Sequence, residues 1–248
     1  MKIYLLSSGT LVLDHSHIYW NMGPGQEVRF PVYSVLIDHP EGLFLFDTGY
    51  DLEHVNRVLP FEKPEQESNE TIPEQLKLAG YSPDDVTVLV NSHLHFDHVG
   101  GNRHLKKARV VLHRRELNQG RNCEPFERLG YSDQQWNHDA ANFEAIEGDQ
   151  EIARGLQLFE TPGHTIGHYS LLVSPENSKP MLFIFDAAYT PLSLEKEINS
   201  SFHIDPVAGV RSIRRVKEMA REHDADLFFS HDLDSFKTYR LAPNYYEV

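Results

Sequence analysis

Cys123 is the only cysteine in the chain, so no disulfide can form within it. Nothing here asks for an oxidising compartment. No apolar run approaches the ~20 residues of a membrane-spanning helix. Basic residues are scarce, with 23 Lys and Arg against 37 Asp and Glu and a formal charge of −14. A phosphate backbone needs a basic surface, so this balance argues against a nucleic-acid partner. The densest basic stretch, RRVKEMAR (214–221), lies on a helical pattern, contains Glu218 and reads as a solvated helix face. The opening MKIYLLSSGTLVLDH lacks the apolar core of an export signal, because Ser7, Ser8, Gly9 and Thr10 interrupt it. It reads as strand, turn, strand. No short repeat, low-complexity tract or Gly/Ser linker divides the chain. Together these absences lead to the expectation of a cytoplasmic enzyme with neither a membrane nor a nucleic acid as partner; a homo-oligomer is compatible with the sequence.

What is present is ample for a core. At 248 residues with 40% hydrophobic content, the expectation is one α/β domain spanning residues 1–248. YSVLIDH (33–39) and LFLFDTG (43–49) flank Pro40-Glu41-Gly42 as a hairpin. TIPEQLKLAG (71–80) carries a Thr cap, an early Pro and a closing Gly, the punctuation of a helix. Strands are expected at VTVLVN (86–91), ARVVLH (108–113), LQLFET (156–161), YSLLVS (169–174), PMLFIFDA (180–187) and ADLFFSHD (225–232). A helix is expected to follow from Arg114. A second, with Val207, Val210, Ile213, Val216 and Met219 on one stripe, is expected over 205–223. Residues 51–70 and 120–142 read as surface loops.

Chemistry concentrates in NSHLHFDHVGGN (91–102), which holds His93, His95, Asp97 and His98 within six positions. On an extended chain His93, His95 and Asp97 share a face and His98 opposes it. For all four to serve one site the chain must turn inside the motif, with Gly100 and Gly101 easing the turn. Later strand ends add His164 in TPGHTIGH (with His168 as competitor), Asp186 in FIFDAAYT and His231 in FFSHD. That is too many donors for one tetrahedral zinc, so two ions fit better. The all-nitrogen and oxygen set suits zinc and also Fe, Mn or Co. His15, His17, His39, His54, His104, His113, His138 and His223 read as ordinary surface or core histidines, and His203 stays open between structure and pocket lining.

HLHFDH, TPGH, DAAYT and SHD, in that order, resemble the metallo-β-lactamase superfamily, and within it the lactonases. The resemblance implies an αβ/βα four-layer sandwich. It implies one metal held by His93, His95 and His164, a second by Asp97, His98 and His231, and Asp186 bridging them. Asp47 of FDTG then supports the metal loop from behind the ligands. Two lactonase branches compete. N-acyl homoserine lactonases share SSGT, SHLHFDH, EGD and the Asp-Ala-x-Tyr-Thr element. 4-Pyridoxolactonases are similar over WNMGPGQEVRFPVYS, VLPFEKP, GYSD, HIDPVAGV and SHDLDSFKTYR, and these stretches outside the metal motifs rank 4-pyridoxolactone as the first expectation.

The implied reaction is hydrolysis of a five-membered lactone. Asp97 would orient the nucleophile and move its proton to the ring oxygen. The Tyr189 hydroxyl would stabilise the oxyanion. Tyr19, Trp20, Met22 and Phe61 are candidate walls of a substrate pocket. Arg29, His203, Lys237 and Arg240 are candidates to meet a polar ring or product carboxylate. A nuclease is disfavoured by charge and a β-lactamase by the missing export signal. A thioester hydrolase is separable by assay. A purely structural metal site would need neither two ions nor an open position.

Overall fold

Runs of buried β-branched, leucine and aromatic residues build two sheets, and a computed structural model describes them over residues 1–131 and 133–248. The strands are β1 (Lys2–Asp14), β2 (Glu27–His39), β3 (Gly42–Phe46), β4 (Val88–Val90), β5 (Arg109–His113), β6 (Asn142–Ile146), β7 (Gln150–Ala153), β8 (Leu156–Glu160), β9 (Tyr169–Val173), β10 (Met181–Phe185), β11 (Asp226–Phe229) and β12 (Tyr246–Glu247). The helices are α1 (His15–Ile18), α2 (Leu52–Val58), α3 (Ile72–Leu78), α4 (Phe96–Val99), α5 (Arg114–Arg121), α6 (Asp133–Trp136), α7 (Pro191–Lys196), α8 (Pro206–Glu222) and α9 (Leu233–Phe236). One sheet runs β12-β1-β2-β3-β4-β5-β6 and the other β11-β10-β9-β8-β7. The α/β expectation holds. Among the described residues no helix is long and apolar enough to cross a membrane.

The chain forms two compact units, the first of Met1–Leu11, Pro31–Ala145 and Tyr239–Glu247, the second of Val12–Phe30, Ile146–Thr238 and Val248. In the first unit β2 and β3 pair antiparallel through the expected tight hairpin, with His39 opposite Gly42. β3, β4 and β5 then run parallel. Their carboxyl ends therefore share one sheet edge, the usual place for a site in an α/β sheet. Ile72 and Leu76 of α3 bury against Leu36, Leu45, Leu89 and Val110. Leu117 of α5 packs with Leu94, Val99, Leu112, Tyr131 and Trp136, and Cys123 lies half-buried against that cluster.

In the second unit β8 and β10 both run antiparallel to β9, and β10 runs parallel to β11. The ends of β8, β10 and β11 thus also share one edge. The stripe Ile213, Val216 and Met219 of α8 covers Leu172, Leu182, Ile184 and Phe229. Each such side chain contributes about 1.5–3 kcal/mol on full burial. Pro206 opens α8, and the Asp205 carboxylate caps it by accepting from Val207 N and Ala208 N.

Several local expectations need correction. Residues 2–14 form one continuous strand rather than strand, turn, strand. Gly9 takes a φ of 89° and lets the chain bend without reversing. Thr71 occupies the cap position of α3, but its side chain makes no capping hydrogen bond. Residues 51–70 hold α2, capped by Asp51 at His54 N, and a 3-10 turn at Pro60–Glu62. Residues 120–142 include α6; the GYSD stretch read there contains Ser132, which lies outside the described residues. Strand 43–49 stops at Phe46, because Asp47 adopts a left-handed φ of 58°.

Candidate metal centre

In the first unit the histidine motif leaves the carboxyl end of β4 and turns at once into α4. That helical turn, rather than glycine flexibility, brings His98 round. The His93 ring centroid lies 4.7 Å from that of His95 and 4.1 Å from that of His98. The glycines serve close approach: a Cβ on Gly100 would sit 2.3 Å from the backbone at Tyr50 and Asp51, and one on Gly101 would meet Ile72 and Thr48. Asp47, wholly buried at the end of β3, ties the motif together. Its carboxylate accepts from Ser92 N (2.8 Å), Ser92 Oγ (2.7 Å) and His98 Nδ1 (2.8 Å). The last contact puts the proton on Nδ1 and leaves Nε2 with the lone pair, which is how a metal-binding imidazole is prepared. His98 Nε2 stands 3.6 Å from Asp97 Oδ2.

A second clamp was invisible in the sequence. Glu116 of α5 is completely buried. Its Oε1 accepts from Leu94 N and from the Tyr131 hydroxyl, both at 3.0 Å. Tyr131 in turn packs edge-on against His95, with centroids 5.1 Å apart. Glu62 was also missed. It is 5% exposed, and burial together with the nearby Asp97 charge pushes its carboxyl up to about 8.

In the second unit Asp186 follows Phe185, which holds a φ of 44° where β10 shifts register against β11. A left-handed phenylalanine is strained. Here the irregularity sets the direction in which Asp186 leaves the strand. His164 Nε2 lies 3.2 Å from Asp186 Oδ2, and His231 Nε2 stands 3.2 Å from Asp186 Oδ1 and 3.3 Å from Oδ2. Ligands about 2.0 Å from a tetrahedral ion stand about 3.3 Å apart, so these separations are those of donors that share an ion. The competitor His168 is otherwise engaged. Its Nδ1 meets Thr161 Oγ1 at 2.8 Å, and its Nε2 accepts the Asp186 N–H at 3.1 Å. Tyr189 is buried, with its ring edge-on to His231 at 4.7 Å and 5.8 Å from His164. His203 stands 5.4 Å from the His164 ring, and burial lowers its pKa to about 4.

The donors comprise imidazoles and carboxylates in groups that could hold a metal ion. The metallo-β-lactamase superfamily model matches residues 28–179. This chain belongs to the metallo-β-lactamase superfamily. It is 33% identical over 98% of both chains to an N-acyl homoserine lactonase of Bacillus thuringiensis. It is 32% identical, over 99% of this chain and 98% of the other, to one of Rhizobium radiobacter. A solved quorum-quenching N-acyl homoserine lactone lactonase superposes with a TM-score of 0.89 at 35% identity, covering 99% of this chain and 98% of that one. A second solved hydrolase of that class, with N-hexanoyl-L-homoserine at its catalytic metal centre, gives 0.89 at 34% over the same shares.

In the second unit the Tyr19 hydroxyl bonds Thr190 Oγ1 at 3.0 Å, next to Tyr189. Trp20 (45% exposed) and Met22 (46%) face solvent. Trp20 joins Val207, Val210 and Arg211 around an open cavity of about 770 Å³. Arg29 is half-buried in β2, and Lys237 pairs with Asp234 at 2.8 Å. In the first unit Phe61 is 61% exposed, and Arg240 lies over the Tyr246 ring.

Proposed function

We propose that this protein opens the ring of N-acyl homoserine lactones. Its family and relatives make it a metal-dependent lactonase of the metallo-β-lactamase superfamily. The finer step rests on one observation, the end-to-end match to N-acyl homoserine lactonases at 33% identity. That match reverses the order of lactones expected from the sequence, where 4-pyridoxolactone stood first. 4-Pyridoxolactone becomes an arm of the test.

In this reading His93, His95 and His164 hold one ion, Asp97, His98 and His231 a second, and Asp186 serves both. Two features support it: these residues fall into groups that could hold an ion, and His164 and His231 both stand close to the Asp186 carboxylate. Zinc is the first candidate for a donor set without sulfur, with Fe, Mn and Co as alternatives. When bound, two such ions supply Lewis acidity and a nucleophile at neutral pH. Asp97 then orients that nucleophile and carries its proton to the ring oxygen as the C–O bond breaks. The Tyr189 hydroxyl donates to the carbonyl oxygen as it gains charge. Asp47 and His168 hold the donors in place. Cytoplasmic residence in a single catalytic domain is part of the same proposal, supported by the lone Cys123.

The test is ring opening, followed by acid release, on short- and long-chain N-acyl homoserine lactones and on 4-pyridoxolactone, with and without chelator. Preferred hydrolysis of the acyl lactones, abolished by chelator and restored by zinc, is expected. Preference for 4-pyridoxolactone would reverse the substrate, and chelator-insensitive turnover would remove the metal chemistry. Within the same assay, Tyr189→Phe should lower kcat about 100-fold, with metal content unchanged.

A further inference from the structure

Phe185 holds its left-handed φ of 44° at the end of β10, one residue before Asp186. Such a backbone persists only where its surroundings hold it. Here side chains take up the backbone groups on both flanks. Ser230 Oγ donates to Phe185 O at 2.9 Å and Ser170 Oγ to Ile184 O at 3.2 Å, while the Asp186 N–H donates to His168 Nε2 at 3.1 Å. The last two are the ends of one chain of hydrogen bonds. His168 Nδ1 lies 2.8 Å from Thr161 Oγ1, which lies 2.9 Å from Ser170 Oγ. Thr161, His168 and Ser170 are all completely buried, so the chain is shut away from solvent.

The direction of every hydrogen in that chain follows from its two ends. A backbone N–H only donates, so His168 Nε2 carries a lone pair, and the neutral imidazole has its proton on Nδ1. Nδ1–H therefore donates to Thr161 Oγ1, and the Thr161 hydroxyl donates to Ser170 Oγ. Ser170 donates in turn to Ile184 O, which only accepts. We propose that Thr161 and Ser170 are positioning residues: they lock His168 in the Nδ1–H tautomer, and through that ring they fix the Phe185 turn and the direction of Asp186. Without the Thr161 hydroxyl, Nδ1–H loses this buried acceptor. A proton moved to Nε2 would set two donors against each other at the Asp186 N–H. The inference lies apart from the choice of lactone and rests on the reading of Asp186 as a metal donor.

The experiment compares wild-type protein with Thr161→Val, Thr161→Ser and Ser170→Ala, with zinc alone as the ligand. Nitrogen NMR of histidine-labelled, chelated protein reads the tautomer, and the resonances missing from His168→Gln identify the ring. Competition with a coloured chelator reads zinc affinity. Thr161→Val keeps the shape and removes the hydroxyl; the His168 ring should lose its pure Nδ1–H signature, and zinc affinity should fall about tenfold. Thr161→Ser keeps the hydroxyl and should restore both. Ser170→Ala frees the Thr161 hydroxyl to donate to Nδ1 and should move both readouts the same way, which carries the test if Thr161→Val fails to fold. A folded Thr161→Val with the wild-type tautomer and affinity overturns the proposal. Affinity lost with the tautomer unchanged also overturns it, because packing then accounts for the loss, and so does a changed tautomer with unchanged affinity. Asp186→Ala with wild-type zinc affinity overturns the metal reading first, and the proposal with it; that variant alone tells the two failures apart.

Discussion

Asp47 does three things with one carboxylate: it receives the Ser92 N–H, the Ser92 hydroxyl and His98 Nδ1. Its φ of 58° is one that asparagine also tolerates. Asp47→Asn should therefore keep the backbone while turning an amide N–H₂ towards a group that itself donates. Metal affinity should fall about 10- to 100-fold with an unchanged circular dichroism spectrum, and competition with a coloured chelator measures it. Unaltered affinity would mean that His98 needs no partner on Nδ1. Glu62 makes a prediction of a different kind. Its ordinary value of 4.5 is raised to about 8 in the fold, so between those limits the native state binds more protons than the unfolded one. Stability therefore declines as pH rises through that window. In chelated protein Glu62→Gln should flatten the decline, as read by urea midpoints at pH 5 and pH 8.5. Parallel pH slopes for the two proteins would show that Glu62 ionises normally.

The short elements of the first unit turn local spacing into a site. α4 has four residues, too few to be stable by itself, and it survives because its flanks are pinned. Thr48 N donates to His98 O at 2.7 Å, Gly100 N to Gly49 O at 2.7 Å and Phe96 N to Gly130 O at 2.8 Å. Gly100→Ala would push a Cβ to 2.3 Å from the backbone of Tyr50 and Asp51, and backbone cannot swing aside as a side chain can. The variant should lose both thermal stability and metal binding. Gly80→Ala, whose Cβ would meet nothing within 4 Å despite a φ of 91°, should keep the metal and lose only stability. The HxHxDH motif was legible because its four donors lie within six positions, and the strands were legible because buried runs leave an apolar signature. α2 was not, since its sequence LEHVNRV buries only His54 and Val55. Nor were the Glu116–Tyr131 clamp and the placement of Glu62, which depend on partners 15 to 35 positions away that only folding brings near. The choice of His164 over His168 became readable only once the Asp186 N–H was seen bonded to His168.

At the scale of the whole molecule the proposed donors are spread from residue 93 to residue 231 of the chain. The unfolded chain cannot present them together, so ion binding stabilises only the folded state. The formal charge of −14 works the same way: two divalent cations reduce the self-repulsion of an acidic chain. At a free ion concentration a thousandfold above Kd the gain is about 4 kcal/mol. For a chain of this size that corresponds to a rise in melting temperature of about 8 °C or more. Scanning calorimetry of chelated and zinc-loaded protein measures it, with bound metal counted in the same samples. The expected result is two ions per chain and a raised, ion-dependent transition. His95→Ala in the first unit and His231→Ala in the second should each lower the count and shrink the shift. If either variant keeps two ions and the full shift, that residue is no ligand. If the wild-type transition ignores zinc altogether, the two-ion site itself is refuted.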